Sequence, residues 1–315
     1  DIIIGTHALF QEKVEYDSLG LVVTDEQHRF GVSQREAMKQ KGGMPHMLFM
    51  SATPIPRTLS MILYGDMDVS VLDSRPEGRL PIKNTVVGPA YRKNAYKFIY
   101  DEIKKGHRAY IVCPAIDDGG QDEEPAGEQE LENVEDLFLK LRKIFPKEVR
   151  IGRLHGRMSS QEKEKAMGEL RDGAIDILVS TTVIEVGVDV PEATVMMIEN
   201  AERFGLSQLH QLRGRVGRGS DQSYCIMINT SKGEEAAERL SIIRDSNDGF
   251  FIASEDLRLR GPGDLLGVRQ SGDMGFGVAD IYRDHELLAP ARDSAEQIIS
   301  GSIPISEDIR KALDE

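Results

Sequence analysis

A chain of 315 residues, 40% hydrophobic and 29% charged, has the length of about two globular domains and the composition of an ordinary globular protein. Its formal net charge of -14 at pH 7 excludes a protein that coats nucleic acid by bulk attraction, so any nucleic-acid contact must come from local basic clusters. Cys113 and Cys225 both lie in apolar runs, which favours buried thiols in a reducing compartment. No apolar run in the sequence is long enough to span a membrane. From these two observations we expect a cytoplasmic protein.

The first part of the chain alternates strand signals with helix or turn signals, a pattern that predicts a parallel sheet. Residues 1–7 and 19–24 are predicted to be strands, and the second of them ends at Asp25 and Glu26. The carboxyl ends of such strands are where α/β sheets bind ligands, and there an aspartate suits Mg²⁺ while a glutamate suits activation of water. On their own, these two carboxylates fit a solvated turn equally well.

A further predicted strand, residues 48–50, leads into Ser51-Ala52-Thr53. The hydroxyl groups of Ser51 and Thr53 either cap a turn or link a nucleotide site to a nucleic-acid groove by hydrogen bonds. Residues 73–81 are polar and rich in proline and glycine, which indicates a linker to a second domain.

The second domain again alternates strands and helices. Asn94 is the predicted cap of a helix that stops at Lys105-Gly106, and a second helix starts at Val134. The segment 117–133 is acidic and aperiodic, which indicates a flexible loop. Strands are predicted at 109–113, 150–155, 175–180, 194–198 and 224–228.

Two loops of this domain have the side chains of a phosphate-binding site. His155 and Arg157 follow a predicted strand, just before a helix that opens with the capping box Ser159-x-x-Glu162, although a structural role explains His155 equally well. Thr181 and Thr182 follow the next predicted strand and offer hydroxyl and amide groups to phosphates.

The stretch Gln208 to Gly219 is the strongest chemical signal in the chain. Its frame is Gln211, Gly214, Arg215 and Arg218, and the two arginines lie one turn apart on one face of a helix if the helix continues that far. Guanidinium groups bind phosphate oxygens bidentately and suit the stabilisation of charge on a transferring phosphoryl group. The alternative is a solvated basic helix end.

Beyond this stretch, residues 236–245 and 250–259 read as two helices broken by Asn247-Asp248-Gly249. A packing hairpin would explain the helices, but not the glycines that stand beside Arg260 and before Gln270. Residues 281–313 add helices in which we identify no chemistry.

Taken in order, Asp25-Glu26-Gln27-His28, Ser51-Ala52-Thr53 and the arginine stretch resemble motifs II, III and VI of superfamily-two nucleic-acid helicases. Residues 180–191 and 200–218, with Arg260-Gly-Pro-Gly263 and Arg269-Gln-Ser-Gly272, resemble the RecG-type branch-migration helicase family. The transcription-repair coupling factors share most of these motifs. In both families, the stretch that contains Arg260-Gly-Pro-Gly263 and Arg269-Gln-Ser-Gly272 corresponds to a translocation motif.

The resemblance implies RecA-like α/β motor domains with parallel sheets, the first of them partial, followed by a helical hairpin and C-terminal helices. It implies a division into 1–80 (first motor domain), 81–230 (second motor domain), 231–275 (translocation motif) and 276–315. In the family, the arginines act across a cleft on ATP bound by the other domain. Carried over to this sequence, the resemblance implies the catalytic residues Asp25, Glu26, Gln211, Arg215 and Arg218. It implies that Asp25 binds Mg²⁺ and that Gly187 and Asp189 join Asp25, Arg215 and Arg218 in contacting ATP. It assigns DNA binding and coupling to Thr6, His7, His28, Ser51, Thr53, His155, Arg157, Thr181, Thr182, Arg260 and Gln270.

The implied function is an ATP-dependent translocase on double-stranded DNA that reverses stalled forks and migrates Holliday junctions in repair and recombination. Its implied partners are branched DNA and a single-stranded DNA-binding protein, and we expect a monomer at the bacterial nucleoid. The phosphate-cradling sequence Gly-x-x-x-x-Gly-Lys-Ser/Thr is absent, so we expect a C-terminal fragment that is inactive alone. The alternatives are a transcription-repair translocase that binds RNA polymerase and a non-hydrolysing DNA-binding module.

Overall fold

The computed structural model describes residues 2–11, 14–25, 45–51, 68–72, 74, 78–114, 134–181, 189–260 and 285–304. The chain divides into two compact units, Asp1–Pro54 and Ile55–Glu315. The finer division at residues 80, 230 and 275 stays a prediction. None of the described helices is long and apolar enough to cross a membrane.

The first unit contains a parallel pair of strands, β1 (Leu21–Thr24) and β2 (His46–Phe49), in which Leu21 pairs with His46. These two strands confirm the predicted parallel arrangement and place Asp25 directly after β1. The predicted strand at residues 1–7 is wrong: Ile2 and Ile4 are 90% and 92% exposed, and a short 3-10 helix covers His7–Phe10. The apolar run misled because a strand also needs a neighbour for its hydrogen bonds, and residues 2–5 join neither described strand.

The second unit is built on a six-stranded parallel sheet in the order β3-β8-β7-β4-β6-β5. Each predicted strand of this domain is present within about two residues of its expected bounds, whereas β3 was not predicted. The inner strands read as continuous apolar runs because helices cover both faces of the sheet. The strands are β3 (Lys83–Val87), β4 (Arg108–Val112), β5 (Ile151–Leu154), β6 (Ile177–Ser180), β7 (Ala193–Ile198) and β8 (Tyr224–Ile228).

Two hydrophobic clusters divide the helices between the faces of the sheet. On one face pack α1 (Arg92–Lys104) and α2 (Val134–Ile144). The other face is covered by α3 (Ser160–Arg171), α4 (Leu206–Arg213), α5 (Glu234–Asp245) and α6 (Gly249–Arg260). A further helix, α7, spans His285–Ile299, within the region where helices were expected.

Local sequence explains where two of these helices begin. The capping box at Ser159 and Glu162 is confirmed: the Ser159 hydroxyl accepts from the Glu162 amide, and the Glu162 carboxylate accepts from the Ser159 amide. Asn94 is not the cap of α1. That helix starts two residues earlier, directly after a 3-10 turn at Pro89–Tyr91, because proline is pre-organised for the first turn.

Candidate nucleotide and nucleic-acid site

The two candidate arginines lie on a loop and not on a helix. Helix α4 ends at Arg213, so the condition under which Arg215 and Arg218 would share a helical face is not met. A helix could not continue through Gly217, whose φ of +78° favours glycine, and a Cβ there would come within 3.0 Å of Ile82. We call residues 214–219 the arginine loop.

The arginine loop contacts the segment that precedes β7. Nη1 of Arg218 donates to Oδ1 of Asp189 at 3.4 Å, and Nε donates to the Gly214 carbonyl at the same distance. The side chain of Arg218 is only 29% exposed, yet both of its hydrogen bonds are long. These contacts position the guanidinium group but bind it weakly. The structure therefore brings together two residues that the sequence assigned to separate ATP-contacting motifs.

The buried Tyr110 lies close enough to the arginine loop for the charges of the loop to affect the pKa of its hydroxyl group. Burial raises the pKa of Tyr110 to about 12, while the positive charges of Arg218 and Arg215 oppose that rise. Gln211 is half-buried on α4, and Arg215 is half-buried in the loop. This side of the unit thus combines two guanidinium groups, an aspartate and a neutral phenol.

The predicted phosphate-binding residues of the second unit follow neighbouring strands. His155 comes directly after β5 and Thr181 directly after β6, and the Thr181 amide donates to the Leu154 carbonyl at 3.3 Å. Nε2 of His155 lies 3.4 Å from a carboxylate oxygen of Glu135. Arg157 is exposed on the turn before α3. The buried hydroxyl of Thr181 has no hydrogen-bond partner among the described residues, so it keeps hydrogen-bonding capacity at this edge.

The two groups of candidate residues lie at opposite edges of one sheet. All six strands are parallel, so His155 and Thr181, which follow strands, lie at the carboxyl edge. Asp189 precedes β7 and Arg218 precedes β8, so they lie at the amino edge. Strands of four to six residues separate the edges by roughly 15–20 Å. The amino edge therefore has the arginine loop with Asp189, and the carboxyl edge has His155 and Thr181.

Sequence reasoning missed the residue that joins α4 to the helical hairpin of α5 and α6. The guanidinium of Arg213 is buried, and its Nη1 donates to the carbonyl oxygens of Ile243 at 3.0 Å and Ser246 at 2.6 Å. Its Nη2 lies 2.9 Å from Nδ1 of His210. The helical register contained the signal, because Arg213 follows the buried Leu206 and Leu209 at the spacing of one helical face.

A second hydrogen bond ties the other end of α4 to the hairpin. Oγ of Ser207 donates to Oδ2 of Asp256 at 2.8 Å. Arg213 is bonded to the turn of the hairpin and Ser207 to its second helix, so α6 runs antiparallel to α4, from the amino edge towards the carboxyl edge. The predicted hairpin is confirmed, and Arg260 is the last residue of α6.

An ion pair with a buried carboxylate lies at the carboxyl end of β7. Glu199 is fully buried, and the Arg92 guanidinium donates to both of its carboxylate oxygens, with Nε at 3.1 and 2.9 Å. The Tyr96 hydroxyl donates to the same carboxylate at 3.4 Å. These contacts fix α1 against the turn that leads into α4.

In the first unit, Asp25 is exposed at the end of β1, and Ser51 is exposed two residues after β2. Thr6 precedes the 3-10 helix that begins at His7. Several other predicted positions lie outside the described residues: Glu26, His28, Thr53, Thr182, Gly187, Gln270 and the acidic segment 117–133.

The residues present fit a magnesium nucleotide. Mg²⁺ is commonly bound by one or two carboxylates together with phosphate oxygens, and the exposed Asp25 at a strand end meets that requirement. The weakly held guanidinium of Arg218 fits a phosphate oxygen.

Family models match the chain in three places. Residues 1–62 match the DEAD/DEAH box helicase model, and residues 93–220 match the helicase conserved C-terminal domain. Residues 246–308 match a model described as ATP-dependent DNA helicase RecG, domain 3, C-terminal. This third match includes α6 and the chain beyond it, a region to which neither of the general helicase models extends.

Relatives named ATP-dependent DNA helicase RecG match nearly the whole chain. The Synechocystis protein is 53% identical over 95% of the chain, and the Thermotoga maritima protein is 49% identical over 98% of it. A solved structure of RecG bound to a three-way DNA junction is 46% identical, covers 90% of the chain and superposes with a TM-score of 0.67.

The chain spans only 35% and 39% of the length of those two relatives and 35% of the chain in the solved structure. The matched portion is a RecA-like α/β fold with a parallel sheet flanked by helices. The chain belongs to the RecG family of superfamily-two helicases.

Proposed function

We propose that the intact protein is an ATP-dependent translocase and helicase that acts on branched double-stranded DNA, reversing stalled forks and migrating Holliday junctions in repair and recombination. The observation that supports this most is the pair of opposite edges on one sheet. The residues that we assign to the nucleotide lie at the amino edge, and the residues that we assign to the nucleic-acid backbone lie at the carboxyl edge. Helices α4 and α6, which are joined by hydrogen bonds, run between the two edges.

At the nucleotide side, bound ATP with Mg²⁺ supplies the phosphoryl group whose transfer to water releases free energy. Asp25 would hold the metal, and Glu26 would orient and deprotonate the attacking water. Arg215 and Arg218 would stabilise the charge that develops on the phosphoryl oxygens, with Gln211 beside them. Gly187 and Asp189 would complete the contact, Asp189 by orienting Arg218.

At the nucleic-acid side, His155, Arg157 and Thr181 would bind backbone phosphates, together with Thr182. Backbone contacts suit a motor, because they hold any sequence equally and release it as the motor advances. The first unit would contribute Thr6, His7, His28, Ser51 and Thr53 to the same task.

The hairpin would convert a change at the nucleotide into movement along DNA. Arg213 bonds the start of the arginine loop to the hairpin turn, so a displacement of that loop would be transmitted to α6. Helix α6 ends at Arg260, after which comes the glycine-rich stretch that contains Gln270. We assign Arg260 and Gln270 to coupling and not to hydrolysis.

The same proposal covers the setting of the protein. Partners would be branched DNA and a single-stranded DNA-binding protein, the protein would act as a monomer, and it would work in the bacterial cytoplasm at the nucleoid. Because this chain contains no Gly-x-x-x-x-Gly-Lys-Ser/Thr sequence, nothing in it cradles the nucleotide phosphates, and we expect the 315-residue chain alone to hydrolyse ATP negligibly.

Gln270→Ala in the intact protein tests the coupling directly. We expect DNA-stimulated ATP hydrolysis to be retained and the unwinding of a model replication fork to be lost. Lys232→Ala, an exposed lysine on the loop after β8, is the matched control and should leave both activities unchanged. If Gln270→Ala lowers both activities equally, Gln270 is a packing residue or a simple DNA ligand. If it lowers neither, the assignment is wrong.

A further inference from the structure

A groove lies between α1 and α2, on the sheet face opposite α4 and the hairpin. Its volume is about 840 Å³, which is within the range of ligand-binding pockets. The apolar residues that line it are Pro89, Ala90, Ile144, Phe145 and Pro146. Ile144 is 47% exposed, so this surface is open to an apolar side chain from outside.

The rim of the groove is basic in a chain whose net charge is -14. Lys93 and Lys97 line it from adjacent turns of α1, and Lys140 lines it from α2. Among the described residues, neither Lys93 nor Lys97 forms an ion pair, and both are exposed. Like charges one helical turn apart repel each other, so an anionic group between them is stabilising.

Two polar side chains that line the groove already have partners. Arg92 is bonded to the buried carboxylate of Glu199, and the Tyr100 hydroxyl donates to Glu148 at 3.1 Å. The positive charge available to a ligand therefore comes from Lys93 and Lys97. An anion would be attracted to these two lysines, while the apolar residues that line the groove accept apolar groups.

Aromatic rings beside lysines are also a feature of single-strand nucleic-acid sites, where bases stack on open ring faces. Here the rings already have partners within the protein. The Lys104 amino group lies 4.0 Å from the centre of the Tyr100 ring, and the buried Tyr96 ring packs edge-on against Phe145 with centroids 5.9 Å apart. The exposed apolar group is the aliphatic Ile144, which offers no stacking surface. The geometry favours a peptide over a nucleic acid.

We propose that the groove between α1 and α2 binds an acidic segment of a partner protein, with carboxylates on Lys93 and Lys97 and a branched apolar side chain against Ile144 and Phe145. The lysines would provide attraction and orientation, and burial of the apolar side chain would provide most of the affinity. The site is on the face away from the arginine loop, so a partner can stay bound while the motor cycles. The proposal does not depend on ATP hydrolysis.

Fluorescence anisotropy with three labelled peptides tests the proposal on the purified chain. The probe is a run of aspartates followed by two leucines; one matched peptide replaces the aspartates by asparagines, and the other replaces the leucines by serines. We expect the probe to bind and both matched peptides to bind about tenfold more weakly or less, because each lacks one of the two contacts.

The protein variants are Lys93→Glu with Lys97→Glu, and separately Ile144→Ser. All three side chains are exposed, so the variants should keep the thermal unfolding midpoint of the parent chain. Both should weaken probe binding by about tenfold or more, and the control Lys232→Glu should not. The proposal is overturned if the groove variants bind the probe as tightly as the parent chain, or if the parent chain does not bind it at millimolar concentration. If the parent chain does not bind the probe, and the lysine variant loses single-stranded DNA binding that the parent chain has, the groove is a nucleic-acid site.

Discussion

Nη1 of Arg213 lies 2.6 Å from the carbonyl oxygen of Ser246, and this hydrogen bond joins the end of α4 to the turn of the hairpin. The same nitrogen also donates to Ile243, so one guanidinium satisfies two carbonyl groups at the end of α5. Arg215 lies two residues further along the chain, and the loop and the hairpin turn therefore share a single anchor.

Arg213→Met should destabilise the second unit by about 2–4 kcal/mol, because it leaves two buried carbonyl groups without their charged donor. Urea unfolding monitored by circular dichroism measures the change. Arg244→Met is the matched control in the same hairpin: its side chain is exposed and pairs with the neighbouring Asp245, so its loss should cost less than about 0.5 kcal/mol. Equal effects of the two substitutions would contradict an anchoring role for Arg213.

Glu199→Gln should destabilise the chain by about 2–3 kcal/mol, since it leaves the Arg92 guanidinium beside a neutral amide at a site where the carboxylate is fully buried. The comparison is Glu192→Gln, which removes an ion pair with Arg108 of similar length, 2.8 Å, but 52% exposed on the glutamate side. That variant should change the free energy of unfolding by less than about 1 kcal/mol. A larger loss for Glu192→Gln than for Glu199→Gln would show that burial does not set the strength of these pairs.

Glu102 should make the stability of the second unit depend on acid pH. Burial raises the pKa of its carboxyl group, but hydrogen bonds from Lys105 and His107 outweigh burial and lower that pKa below its ordinary value of 4.5. A carboxylate with a lowered folded-state pKa stabilises the fold above its unfolded value, and that contribution is lost as the pH falls through the folded value.

The parent chain should therefore lose stability from about pH 4.5 downwards, and Glu102→Gln, which has no carboxyl group to protonate, should lose less over the same interval. Urea midpoints measured at a series of pH values give both curves. Parallel curves for parent and variant would mean that the contacts of Glu102 do not discriminate between its two protonation states.

The parts of the fold that depend on local pattern were predictable. Strands of buried apolar residues and the capping box at Ser159 need no distant information, and both matched the structure. The strand β3 was missed because its alternating pattern in Lys83–Val87 is short and mixed, and it is defined by pairing with β8, far away in the sequence.

For the candidate site, the sequence indicated residue types but not their geometry. Motif order assigned Arg218 and Asp189 to a nucleotide, an assignment that stays a prediction, and the structure shows that the two side chains are in contact. The helical spacing of Arg215 and Arg218 does not lead to a shared helical face, because periodicity does not register the positive φ of Gly217. The helical register indicated that Arg213 lies on the buried face of α4, but it could not identify the partners, which are carbonyl groups thirty or more residues away.

The central claim is that the arginine loop serves hydrolysis, and single-turnover and steady-state ATPase measurements on the intact protein test it most directly. Arg215→Ala and Arg218→Ala should each lower kcat by about a thousandfold with little change in ATP affinity, because they act on charge that develops in the transition state. Arg171→Ala, an exposed arginine at the end of α3 that pairs with its neighbour Asp172, should leave kcat unchanged. Normal turnover in either loop variant would contradict the account.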